Sequence, residues 1–263
     1  MPSLDSVPLW GIFLLTAAVI LGSIRFGRLL GTWQRRRGDS KSDVSGAMIG
    51  ATMGLLAFML AFTFNGAANR HDLRKALVME ETNAIHTTWL RAGFLAEPER
   101  LKMRELLQEY VDVRVQATAE GADIGGASQA SVALQRRIWQ LQEVAARQQS
   151  GSISIGLLAE SLNQTIDLHL KRVTVGVRNR VPSTIWLALM ALTIVGMGMF
   201  GMQMGMDGSR QRGIEVALAL AFSIVLFLIA DLDRPQQGLL NVSQQSMIDL
   251  QQQLQAASQA PLP

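Results

Sequence analysis

The sequence predicts an all-α protein: four transmembrane helices, with a helical extramembrane domain set between spans 2 and 3. Three observations carry this. Of 263 residues, 49% are apolar and only 17% are charged, against roughly 25% charged in a typical soluble domain. The mean hydropathy is +0.21. The apolar residues are gathered into four runs without a charge, while the stretch between the second and third runs holds most of the charge and shows no period-2 alternation.

The four runs are residues 6–24, 44–69, 181–206 and 216–230, or 19, 26, 26 and 15 residues. A span needs about 20 residues at roughly 1.5 Å each to cross about 30 Å of hydrocarbon. The first three pass. The fourth is short by itself, and a buried core helix is its alternative reading. Counting Ile214, Glu215 and Asp231 at its edges lengthens it, and the polar turn at 208–213 makes the third and fourth runs a helical hairpin. The first run does not read as a cleaved signal peptide. Asp5 precedes it without any Lys or Arg, and Arg25 and Arg28 follow it as snorkelling anchors.

The expected organisation is an N-terminal helix and basic loop (1–43), the second span (44–69), the helical extramembrane domain (70–180), the third and fourth spans (181–231) and a C-terminal tail (232–263). Orientation stays open. Arg25, Arg28, Arg35, Arg36, Arg37 and Lys41 favour a cytoplasmic first loop. Basic residues also flank the central domain: Arg70, Arg74 and Lys75 at its start, and Lys171, Arg172, Arg178 and Arg180 at its end.

Four helical stripes are expected in the central domain: Leu73, Leu77, Ala84 and Thr88; Met103, Leu106, Leu107 and Tyr110 after the Glu97-Pro98 start signal; Leu134, Ile138, Leu141 and Ala145; and Ile155, Leu158, Leu162, Ile166, Val173 and Val177. Gly121, Gly125, Gly126 and Gly151 punctuate them. In the tail, Met247, Leu250 and Leu254 have helical spacing, and residues 256–263 read as disordered.

Composition and motifs exclude much chemistry. The absence of cysteine rules out disulfides, thiol nucleophiles and Cys-ligated zinc. A net charge of +3 is too small to suggest a nucleic-acid binder. His71, His86 and His169 form no i, i+4 metal pair, and no HExxH, P-loop or GxSxG motif occurs. The expectation is a non-enzyme with no catalytic residue, no metal and no cofactor.

The second span is more informative. Gly46, Gly50 and Gly54 recur every four residues, a ridge that permits close helix approach. Leu55, Phe58, Phe62 and Asn65 share one face. They read either as a hydrophobic constriction with a polar mouth or as lipid-facing and packing side chains. Arg74, Lys75, Glu80 and Glu81 read as solvated or ion-paired, or the two acids as a ring around a pore mouth, where Arg70 and Arg74 would also stand. Asp231, Asp233 and Arg234 read as a cap fixing where the tail leaves the membrane, or as a cation or gating site.

Several motifs occur in order along residues 44–254. They are Gly54-Leu-Leu-Ala-Phe-Met-Leu-Ala-Phe-Thr-Phe64, Arg70, Arg74, Glu80-Glu81-Thr-Asn-Ala-Ile85, Leu90-Arg91 and Tyr110-Val-Asp-Val-Arg114. After them come Leu162-Asn163, Asp167, Arg178-Asn-Arg-Val-Pro182, Asp231-Leu-Asp-Arg-Pro235, Gly238 and Val242-Ser-Gln-Gln245. This series resembles the bestrophin-like family of bacterial membrane proteins. The resemblance implies a homo-oligomeric, pentameric passive channel for small inorganic ions in the bacterial inner membrane. It places the neck at Leu55, Phe58 and Phe62, with Asn65 near its mouth. It also implies a cytosolic central domain, opposite to what the basic first loop favours. Calcium-controlled bestrophins carry a dense acidic cluster after span four; only Asp231 and Asp233 stand here, followed by Arg234, so no calcium site is expected. The alternative function is a non-conducting scaffold or sensor whose helical domain binds a partner.

Overall fold

The computed structural model describes residues 8–37, 46–119, 122–208, 212–234 and 238–259. Asp5, Lys41, Gly121, Pro235, the turn at 209–211 and residues 260–263, on which expectations above rest, lie outside the described residues. So do the side chains of Val177 and Arg178. The described residues form eight α-helices and no strand: α1 (Leu9–Arg36), α2 (Gly46–Arg91), α3 (Glu99–Gln116), α4 (Ile124–Gln148), α5 (Ile153–Val173), α6 (Ser183–Asp207), α7 (Arg212–Asp233) and α8 (Gln245–Gln259). The chain divides into two units, Met1–His71 with Arg180–Asn241 and Asp72–Asn179 with Val242–Pro263.

In the first unit, α1, the apolar part of α2, α6 and α7 are each long and apolar enough to cross a membrane. Helices are required there because hydrocarbon offers no partner to an unpaired backbone N–H or C=O. The fourth run reaches spanning length because α7 takes in Arg212–Glu215 at one end and Asp231–Asp233 at the other, 22 residues in all. Its Glu215 is buried and pairs with Arg28 of α1.

Glycine sets the closest approach. A Cβ at Gly27 or Gly31 of α1 would collide with the Gly198 or Met202 carbonyl of α6. A Cβ at Gly201 or Gly205 of α6 would collide with the Ile24 or Arg28 carbonyl of α1. Both helices therefore carry a Gly-xxx-Gly ridge, which lets backbones touch where no hydrophobic drive separates protein from lipid. The facing positions advance together, so α1 and α6 run parallel. Leu189, early in α6, clusters with Leu226 and Ile229, late in α7, while Met197 clusters with Ala219. This pair is therefore antiparallel, as a hairpin requires. Gly208 ends α6 at φ 70°, the left-handed conformation that favours glycine.

The second unit packs the rest of α2 with α3, α4, α5 and α8. Its core holds Ile85, Trp89, Met103, Leu107, Tyr110, Leu134, Ile138, Leu158 and Leu162. The expected stripes supply most of it, and α3 starts directly after Glu97-Pro98. Leu73 departs from its stripe: it is exposed, and the buried face begins at Leu77.

The tail needs a larger correction. Residues 256–259 are not disordered but complete α8. Met247, Leu250 and Leu254 are at most 3% exposed and join the α3 core, so burial of one apolar stripe orders a helix whose other faces are rich in glutamine.

The glycine contact yields a prediction. Gly201→Leu forces α1 and α6 apart and lowers the apparent Tm of the detergent-solubilised protein, at a cost of about 1–3 kcal/mol or more. Gly22→Ala, where a Cβ meets nothing within 4 Å, leaves it unchanged.

Candidate functional site

Two arrangements concentrate the unusual residues. The first is the outer face of α2 in the first unit. Leu56, Leu60 and Ala67 are buried against α6 and α7. At about 100° per residue, Phe58 and Asn65 fall roughly opposite them. Leu55, Phe58 and Phe62 are 51%, 65% and 67% exposed, and Asn65 is exposed beside them. The Phe58 and Phe62 rings stack along the helix with centroids 6.5 Å apart and planes 22° apart. Gly46, Gly50 and Gly54 are exposed on a neighbouring strip of α2, only Gly54 coming close to the Phe row, and a Cβ at any of them meets nothing within 4 Å. Among the described residues this ridge meets no other helix, unlike the one joining α1 to α6.

The end of this face is tied down by the acidic pair that closes α7. The Asp233 carboxylate accepts a hydrogen bond from the Val181 amide at 2.8 Å and lies 3.7 Å from the Arg70 guanidinium. It thereby joins α2, α7 and the segment leading into α6. Asp231, 1% exposed, accepts hydrogen bonds from the Leu239 and Leu240 amides at 2.9 and 3.2 Å. Gly238 presses against the same carboxylate where a Cβ would not fit. The Arg234 amide bonds the Asp231 carbonyl at 3.2 Å. These contacts hold residues 238–240 against the end of α7.

The second arrangement is a buried charge cluster in the second unit. Glu81 is fully buried. From α3, the Tyr110 hydroxyl donates to its Oε1 at 2.9 Å and Arg114 Nη2 donates to its Oε2 at 3.2 Å. From α5, Arg172 donates to Oε2, and His169 Nδ1 lies 3.9 Å from Oε1. Gln135 of α4 donates to the Tyr110 hydroxyl at 3.2 Å, and Arg172 also donates to Gln244 at 3.0 Å. One carboxylate thus gathers groups from four helices.

Burial by itself would raise the pKa of Glu81. The charges of Arg172 and Arg114, with hydrogen bonds from Arg172 and Tyr110, more than offset it and hold the carboxyl below its ordinary value. Burial, then the Glu81 charge, pushes Tyr110 well up. Burial and the nearby Arg114 hold His169 down, to about 4, so the imidazole is neutral at pH 7.

Of the charged residues expected around a mouth, Arg70 and Asp233 lie 3.7 Å apart, and Glu81 is bonded within its own cluster. Glu80 is exposed and Arg70 is half-buried, whereas Arg74, Glu81, Asp231, Asp233 and Arg234 are buried. Arg74 turns to the carbonyl of Val175 at 3.5 Å, in the π-turn Thr174–Arg178 that follows α5. Sequence reasoning missed Tyr110, Arg114, His169 and Arg172 around Glu81, and Gln135 and Gln244 as the groups that bond Tyr110 and Arg172 in turn. The available signal was the one-turn spacing of Tyr110 with Arg114 and of His169 with Arg172. Among the described residues, no group of three or more His, Cys, Asp or Glu converges as metal ligands.

The family model described as Bestrophin-like domain matches residues 14–247. No curated protein and no solved structure matches the chain.

The cluster gives a pH prediction. His169 has a lowered pKa, so between about 6.5 and 4 the unfolded chain binds more protons than the folded one, and stability falls as pH falls through that window. The full effect is about 3 kcal/mol at most. Glu81 adds its own loss below its unfolded value of 4.5. Thermal melts from pH 7 to pH 4.5 should show Tm declining in wild type and declining less in His169→Gln. Glu81→Gln leaves two buried guanidinium groups without their counter-ion, and at pH 7 should cost on the order of 3–5 kcal/mol.

Proposed function

The chain belongs to the bestrophin-like family, and from that premise we propose that it is a homo-oligomeric passive ion channel whose neck is the outer face of α2. It is a multi-pass membrane protein by its four apolar helices. The reading adds that several copies, five as in bestrophins, surround an axis in the bacterial inner membrane and pass small inorganic ions.

One observation carries the proposal. The bulky row Leu55, Phe58 and Phe62, ended by Asn65, lies opposite the packed side of its own helix and is exposed among the described residues. With one copy of α2 per subunit, each Phe position becomes a ring of aromatic side chains. Such a constriction excludes water when narrow and conducts when wetted. Asn65 supplies the polar step at the end of the apolar row. The open ridge of Gly46, Gly50 and Gly54 leaves room for a neighbouring helix to approach. Arg70, held by Asp233, fixes the end of the lining helix. Asp72, Lys75 and Glu80 are exposed charges further along the same helix.

The test is ion flux through liposomes reconstituted with wild type and with Phe58→Ala/Phe62→Ala. The proposal predicts flux above empty liposomes that rises several-fold in the double variant, because truncating both rings widens and wets the neck. No flux from either protein, with the oligomer intact by size-exclusion chromatography, would overturn it and favour a scaffold whose helical region binds a partner.

A further inference from the structure

The second unit contains a recess that neither the Glu81 cluster nor the α2 face uses. Its volume is about 600 Å³, within the range of small-molecule sites. Trp89 near the end of α2, Leu101, Lys102 and Arg104 of α3, and Ala257 and Ser258 of α8 form its walls. Glu105 and Gln108 of α3 also line it, so one side is apolar and the other is polar, with two basic groups against one acid.

Three features distinguish it from a surface irregularity. Trp89 is only 8% exposed, and its buried indole N–H has no acceptor among the described residues. A buried indole N–H ordinarily finds one. Arg104 lies over the Trp89 ring, 4.2 Å from its centroid, and makes no ion pair among the described residues. The acids nearby are engaged: Glu97 with Arg100, and Glu105 with Lys102 at 2.7 Å. The α8 wall is also pinned, because the Gln108 amide donates to the Leu254 carbonyl at 2.8 Å and to the Ser258 hydroxyl. Burial first, and then the adjacent Arg100, lower the Arg104 pKa against the pull of Glu97.

A guanidinium and a free N–H beside an apolar wall fit a particular ligand chemistry. The surplus is about one charge, which favours a monoanion. The donors are few and planar, which suits a carboxylate better than the multiply charged tetrahedral face of a phosphate. We propose that this recess binds a small organic carboxylate, its charged end on Arg104 and the Trp89 N–H and its apolar body against Leu101 and Ala257. The site stands independently of ion passage, since it is read by binding and not by flux.

The experiment is calorimetric titration of the full chain in detergent with benzoate, benzyl alcohol and inorganic phosphate. Benzoate should bind wild type, benzyl alcohol and phosphate at least tenfold more weakly. Arg104→Gln should weaken benzoate at least tenfold. Trp89→Phe, which keeps an aromatic face and removes the pyrrole part of the indole with its N–H, should weaken it about three- to tenfold. Helix content and Tm establish that each variant is folded, and if Arg104→Gln is not, Trp89→Phe decides. Absence of benzoate binding to wild type, equal affinity in the folded variants, or phosphate binding as tightly as benzoate would each overturn the proposal.

Discussion

Leu56, Leu60 and Ala67 press one side of α2 against α6 and α7, and this contact fixes the rotation of the helix about its own axis. Everything specific to the first unit follows from that rotation. It leaves Phe58, Phe62 and Asn65 on the opposite side. It brings Arg70 to Asp233 at the end of the span. A rotation of one residue, about 100°, would bury an aromatic ring and expose the leucines. In lipid the hydrophobic effect offers no help in choosing a face, so shape has to decide. The glycine contacts of α1 with α6 and the packed leucines of α2 supply that shape.

The later part of α2 is held by a different force. Glu81 sits in the second unit with no water to solvate it, and its charge persists because Arg114, Arg172 and Tyr110 replace the lost solvent. A buried ion cluster of this kind adds little net stability compared with a well-packed apolar substitute. It does penalise any arrangement in which one member is missing. Groups from α3, α4 and α5 and the Gln244 side chain must all arrive for the hydrogen bonds to close. The cluster therefore selects one packing of these helices, and His169 makes that packing sensitive to acid.

The spans were legible because hydrocarbon demands long uncharged runs, and no other constraint in a sequence is as blunt. The central stripes were legible for the same reason at smaller scale: burial repeats with the helix. Convergence was not legible. Gly46, Gly50 and Gly54 stood out as a ridge, yet the ridge used inside the chain is Gly27 and Gly31 with Gly201 and Gly205. The first two lie beyond the uncharged part of their run. The others share α6 with Gly196 and Gly198, so spacing does not single out a face. The members of the Glu81 cluster are scattered from residue 81 to residue 244, and only tertiary structure brings them together. In α8 the buried stripe was visible, but the glutamines around it dominated the composition and its last turn read as disordered.

The central claim is that the free face of α2 lines a water-filled path in the assembled protein. The chain has no cysteine, so single cysteines can be placed without removing any. The most direct measurement compares ion flux before and after a membrane-impermeant thiol reagent in liposomes carrying Phe58→Cys, Asn65→Cys or, on the exposed surface of α1, Trp10→Cys. The account predicts that the reagent blocks flux at positions 58 and 65 and leaves position 10 unaffected. Flux that persists unchanged at both α2 positions, or that is blocked only from α1, would contradict it.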